Sequence, residues 1–179
     1  EGHASKQYIT VSLREKFMVE RGQNLCESLR FPIGWRQDGD LQINSKILTS
    51  IFKEICGANS GEKSLPHFWP ELNREQLGVL LSAYFSGDGC VEKNVISCTT
   101  KSKKLASELA YALMRFDIWA RIRKKRKYAS NTVLKTKRTY YAVSISGQEN
   151  MNRYATFIGF KLPRNQEKLK SDLGKKSNT

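Results

Sequence analysis

The chain has 179 residues, 39% of them hydrophobic and 27% charged, with a formal charge of +14. That length suits one domain or two small halves sharing a core, and no apolar run is long enough for a membrane span. The positive excess points to a polyanion: 13 Lys plus Arg stand against Glu108 and Asp117 between Lys101 and Tyr140, which favours nucleic acid over an acidic membrane lacking any anchor or lipidation signal.

Residues 7–13, "QYITVSL", alternate as a strand does, and 14–31 read as a helix with Phe17, Leu25 and Leu29 among its apolar positions. "IGWRQDGDLQIN" follows as two short strands about the Asp38-Gly39 turn. A helix from Ser45 to Cys56 places Ile47, Leu48, Ile51, Phe52 and Ile55 on one face and stops at Gly57. After a loop, Asn73 is suited to cap a helix over 74–87. "NVISCTT" is then a strand and Lys103–Phe116 a helix. "WARIRKKRKY" and "VLKTKRTYYAVSIS" make a long hairpin around "ASNT", and "QENMNRYATFIG" is another helix. The order strand, helix, hairpin, helix therefore occurs twice, with Glu1-Gly2 matched to Asp88-Gly89. The polar, basic tail after Asn165 is helical or frayed.

Cys26, Cys56, Cys90 and Cys98 contain no C-x-x-C pair, and with only His3 and His67 a structural zinc site has little support. They read as reduced thiols of an intracellular protein. Neither histidine fits a catalytic dyad.

The segment 77–89, "LGVLLSAYFSGDG", carries small residues at Gly78, Ser82, Ala83, Ser86 and Gly87 and stops at Asp88. Small residues four apart, such as Ala83 and Gly87 or Gly78 and Ser82, let a second backbone approach closely. Glycine within a helix costs up to about 1 kcal/mol relative to alanine, so a compensating contact is expected. Two carboxylates brought together at the end of such a seam repel, and a divalent cation is their natural counter-charge.

"LSAYFSGDG" resembles the nine-residue signature of the LAGLIDADG homing endonucleases, including those embedded in inteins. Leu81, Ala83, Gly87, Asp88 and Gly89 stand where that family has leucine, two small residues, the catalytic acid and glycine. The lead-in "LPHFWPELNREQLGVLL" is similar to the approach to the second motif in intein-type members. The resemblance implies an α+β fold of two pseudo-symmetric αββαββα repeats, whose antiparallel sheets form a DNA-binding saddle. Residues 1–70 would be a first repeat lacking its signature helix, 71–165 the second repeat and 166–179 a basic tail. The missing helix would lie upstream or come from another segment, so the expectation is a monomer with an internal pseudo-twofold, or a dimer.

What the resemblance further implies is an intein- or intron-encoded enzyme that uses Mg2+, or Mn2+ in its place, to break both strands of a long DNA target. A relative that keeps the nucleic-acid surface and has lost cleavage, such as a maturase or regulator, is the alternative. Asp88 and Glu1 would be the metal acids, with the Gly87 carbonyl on the same ion. Lys137, rather than Lys135, would be the central lysine on the last strand of the long hairpin, sharing parity with Tyr141, Val143 and Ile145. Gln37 would be its first-half counterpart. Candidate DNA contacts are Arg121, Arg123, Lys125 and Lys127 on the basic hairpin, Lys135, Lys137, Arg138, Tyr140 and Ser144 on the returning strand, and Arg36, Gln37, Gln42 and Asn44 in the first half.

Overall fold

Two units make up the chain, Glu1–Ala58 and Asn59–Thr179. The computed structural model describes residues 2–4, 7–12, 15–128 and 137–174, with backbone alone at 2–4, 17, 127, 128 and 137.

The first unit runs β1 (Gly2–Ala4), β2 (Ile9–Val11), α1 (Lys16–Ser28), β3 (Ile33–Trp35), β4 (Leu41–Ile43) and α2 (Lys46–Cys56). Its strands form an antiparallel sheet in the order β1-β2-β4-β3. Gly39, at φ +82, supplies the left-handed residue that lets β3 turn into β4. Ser45 caps α2, its hydroxyl accepting from the Leu48 amide at 3.2 Å. The unit buries Ile9, Cys26 and Leu41. The apolar stripe of α2 stays outward: Ile47 is 76% exposed, and Ile51 and Phe52 are exposed as well. Periodicity marks which residues share a helix face, but not what covers that face.

In the second unit the order is α3 (Arg74–Asp88), β5 (Gly89–Glu92), β6 (Val95–Thr100), α4 (Lys103–Met114), β7 (Ala120–Tyr128), β8 (Lys137–Ser146), α5 (Gln148–Phe157) and α6 (Pro163–Leu173). Asn73 opens α3 with a reciprocal capping box: Gln76 N–H donates to its side chain, and the Gln76 side chain accepts from the Asn73 amide. The approaching loop is held by the Leu65 amide, which donates to Glu108 at 2.7 Å. Helices cover one sheet face around Leu77, Leu81, Phe85, Ile96, Leu109, Leu113, Val143, Ile145, Met151, Tyr154 and Leu169, all at 1% exposure or less. Each contributes about 1.5–3 kcal/mol of burial. No described helix is long and apolar enough to cross a membrane.

The second sheet is also antiparallel, in the order β5-β6-β8-β7, so each unit contains the run ββαββα with the same strand order, flanked in the second unit by α3 and α6. Register matches too. Gly2 pairs with Val11, Val11 with Leu41 and Leu41 with Trp35, while Gly89 pairs with Cys98, Cys98 with Val143 and Val143 with Ile122. Leu41 and Val143 are buried, and Trp35 and Ile122 lie exposed at the end of each row. The α+β class is therefore realised as two like sheets, each with helices of its own.

Candidate functional site

Helix α3 stops without unwinding. The Gly89 amide still donates to the Phe85 carbonyl, yet Gly89 is extended (φ −98, ψ 158) and opens β5. Asp88 thus stands where helix passes directly into sheet, half-buried. Tyr84 lies one turn back on α3, and Cys98 lies on β6 across from Gly89. The Tyr84 hydroxyl is buried and interacts with both Asp88 and Cys98. Burial first, then the charges of Cys98 and Asp88, hold the Tyr84 phenol far above its ordinary range. Burial, reinforced by the Asp88 charge, pushes the Cys98 thiol up to about 12. A thiol kept protonated is a poor metal ligand.

That leaves oxygen donors. The described residues include no cluster of three or more His, Cys, Asp or Glu. Asp88 and the neighbouring Gly87 carbonyl are hard donors, the kind a Mg2+-like cation takes in ones and twos, completing its shell with phosphate oxygens and water. The donor set fits such an ion and disfavours a soft one. Glu1 lies outside the described residues.

The small residues of α3 form two stripes with different neighbours. Gly78, Ser82 and Ser86 are buried. A Cβ on Gly78 would come 2.9 Å from the Phe157 carbonyl oxygen, so this stripe receives the end of α5. Val79, Ala83 and Gly87 are exposed, and a Cβ on Gly87 would meet nothing within 4 Å. Of the two pairs named from the sequence, Gly78 with Ser82 is used inside the unit, and only Ala83 with Gly87 is open.

Beyond Asp88 the sheet alternates as its register requires. Val91, Ile96, Cys98, Val143 and Ile145 face the helices, and Tyr141 shares that side, half-buried. Cys90, Ser97, Ser144 and Arg121 form one row across the open face, and Thr99, Ala142 and Arg123 the next. Arg123 and Lys125 extend the line outward, Lys125 paired with Tyr140. Arg121, Arg123, Lys125 and Arg138 are exposed, while Tyr140 and Ser144 are half-buried on the same face. Lys101 Nζ lies 5.9 Å from the Tyr140 ring centre. Lys127 pairs with Arg138 and Lys137 with Tyr128 through the backbone, whereas Lys135 lies outside the described residues. Cys90, Glu92, Ser97 and Thr99 also occupy this face. Sequence reasoning passed over them because β5 is too short to show alternation, though the row through Ser144 selects them.

The same rows place Gln42 of the first unit where Ser144 stands in the second, and Arg36 continues the strand as Arg123 does. Gln42 Nε2 donates to Asn44 Oδ1 at 2.7 Å, and exposed Arg36 pairs with Asp38 at 3.3 Å. The Asp40 amide, donating to Asp38, holds that carboxyl below its usual range. Gln37 sits exposed in the turn between β3 and β4. Since Leu41 matches Val143, Ile43 matches Ile145, and the position eight residues before Ile43 is Trp35 of β3. Lys137 thus lies on the returning strand of its hairpin, whereas Gln37 lies in the turn ahead of β4.

Residues 75–159 match the model of the LAGLIDADG-like domain. Those residues form a LAGLIDADG-like domain. It is 31% identical over 181 residues to the replication factor C small subunit of Thermococcus kodakarensis, a match spanning 97% of this chain and 19% of that protein. It is also 31% identical over 180 residues to the replication factor C small subunit of Methanocaldococcus jannaschii, covering 94% of this chain and 9% of the relative. A match to the protein RecA of Mycobacterium tuberculosis, at 28% identity, covers 62% of this chain and 16% of RecA. The chain thus spans about a fifth or less of the length of these relatives. Among solved structures, the homing endonuclease I-DmoI in complex with DNA and Ca superposes with a TM-score of 0.60 at 14% identity, over 92% of this chain and 82% of that one. Its complex with DNA and Mn gives 0.58 at 13%, over 87% and 82%. The chain therefore shares the I-DmoI fold.

Proposed function

We propose that this LAGLIDADG chain is the nuclease segment of a site-specific homing endonuclease, cutting both strands of a long duplex with Mg2+ or a like divalent cation. The observation that carries the reading is Asp88, a carboxylate at the junction of the signature helix and a sheet whose open face is lined by Arg121, Arg123, Lys125 and Arg138. Basic side chains on that ribbon bind phosphates and set register, and Gln42, Asn44, Ser97 and Ser144 offer donors and acceptors to base edges in a major groove. Asp88, with the Gly87 carbonyl and Glu1, would hold the cation, which when bound activates water and stabilises the leaving oxygen. Lys137 would offset developing charge near the cut. The exposed Val79-Ala83-Gly87 face suits a second signature helix, from the same polypeptide or from another copy.

The relatives support a passenger origin. Matching segments occupy 19% of a replication factor subunit, 16% of RecA and 15% of an RNA polymerase subunit, three unlike proteins. A segment carried inside host proteins, as an intein is, accounts for that pattern.

The test uses a library of supercoiled plasmids with random inserts, incubated with the chain and Mg2+, the cut ends being sequenced. The expectation is cleavage at one insert sequence, abolished by EDTA and by Asp88→Asn, with duplex binding by Asp88→Asn retained. Binding without cleavage under any divalent cation would assign the chain to the non-cleaving members of the fold. Loss of binding together with cleavage in Asp88→Asn would make Asp88 a structural residue.

A further inference from the structure

A carboxylate that positions a cation must itself be held, and two hydrogen bonds reach the end of α3 from the segment after α5. The Lys161 amide donates to Ser86 Oγ at 2.7 Å, and that hydroxyl in turn donates to the Ser82 carbonyl at 2.6 Å. Asn165 Nδ2 donates to the Gly89 carbonyl at 3.2 Å, from a side chain only 4% exposed. Within that segment the Phe160 amide donates to Gln166 Oε1 at 2.7 Å, and the Phe160 ring lies tilted against Tyr154 of α5 at 5.2 Å, which in turn meets Phe85 of α3 edge-on. Farther along α6, Asp172 accepts from the Asn94 amide in the turn joining β5 to β6. Helix α6 therefore grips both ends of β5, and the segment from Lys161 to Asn165 bonds to the residues on either side of Gly87 and Asp88.

Ordinary structural needs do not explain a buried amide here. An apolar side chain could have filled this position, as Leu169 fills the core farther along α6. A buried donor aimed at one carbonyl instead specifies a single position for that carbonyl. We propose that Asn165 and Ser86 are positioning residues, and that residues 160–166 form a clamp holding Asp88 and the Gly87 carbonyl at the spacing a divalent cation requires. The proposal rests on the reading of Asp88 as an ion ligand.

The experiment takes the full chain with a random-sequence duplex and titrates Mn2+, free ion being followed by electron paramagnetic resonance. Cleavage kcat and KM are measured on the selected insert. Asn165→Leu and Ser86→Ala should each weaken Mn2+ binding and lower kcat by about 10-fold or more, as loss of a group that orients a metal ligand does, with KM and ion-free duplex affinity unchanged. In an Asp88→Asn background, Asn165→Leu should have no further effect on Mn2+. Wild-type Mn2+ affinity and kcat in a folded Asn165→Leu or Ser86→Ala variant would overturn the clamp alone, as would KM rising and duplex affinity falling in step with lost stability. Should Asn165→Leu not fold, Ser86→Ala carries the same comparison. A wild-type chain that neither binds Mn2+ nor cleaves would sink the nuclease reading, and the clamp with it.

Discussion

No side chain fits at Gly89, because a Cβ there would lie against the carbonyl oxygen of Phe85, the same oxygen that accepts the Gly89 amide. The glycine after Asp88 serves close approach, since its φ of −98 is open to any residue. Gly89→Ala should cost about 1–3 kcal/mol through overpacking against backbone. Urea unfolding measures it, and a midpoint equal to wild type would show that the helix-to-strand passage relaxes freely.

The two stripes of α3 separate two glycine substitutions of identical chemistry. Gly78→Ala drives a methyl toward the Phe157 carbonyl and should destabilise by about 1–3 kcal/mol. Gly87→Ala meets open space and should leave stability unchanged or raise it by up to about 1 kcal/mol through helix propensity. It should nevertheless abolish cleavage if a second helix packs there. Equal destabilisation by both would contradict the division of the stripes.

Removing one cation from the open face should weaken binding to all duplexes alike. For Arg121→Ala, Arg123→Ala and Lys125→Ala, each exposed on that face, the slope of log affinity against log salt should fall by about 1 per substitution. Arg126, on the other side of the same strand, is the control. Base-specific loss at Arg121 with an unchanged slope would instead make it a reader of sequence.

The buried Tyr154 hydroxyl has no hydrogen-bond partner among the described residues, and burial raises its ionisation well above the ordinary value of 10.0. A raised pKa means that the folded state holds the proton more tightly. This contribution to stability is complete below pH 10 and is lost as pH climbs from there. Tyr154→Phe should flatten that alkaline loss and, by removing an unsatisfied polar group, stabilise the chain by about 1 kcal/mol at pH 7. Denaturant unfolding at pH 7 and pH 11 checks both, and an unchanged alkaline slope would place the loss elsewhere.

Much of this architecture was legible because its signals are local. Asn73 and Ser45 announce helix starts through side chains that bond their own next turn, and Asp38-Gly39 announces a turn through one left-handed residue. Strands β1 and β5 escaped notice because three or four residues cannot display a period of two. Helix α6 looked like a polar tail because its inward positions, Asn165, Leu169 and Asp172, are mostly polar. Their value lies in the Gly89 and Asn94 groups they meet, some 76 and 78 residues away in sequence.

The sequence by itself determined the repeated element order, the basic hairpin and the acid at the end of a helix rich in small residues. Each of these is written in neighbouring letters. Only the tertiary structure decided which small residues face α5 and which stay open. Gly78-Ser82-Ser86 and Val79-Ala83-Gly87 are offset by one residue, about 100° around a helix, and only packing sets the rotation. Packing also decided that a helix near the end of the described chain holds the carbonyl beside Asp88. Such contacts depend on where a rigid core places distant backbone, and a linear pattern carries no record of that.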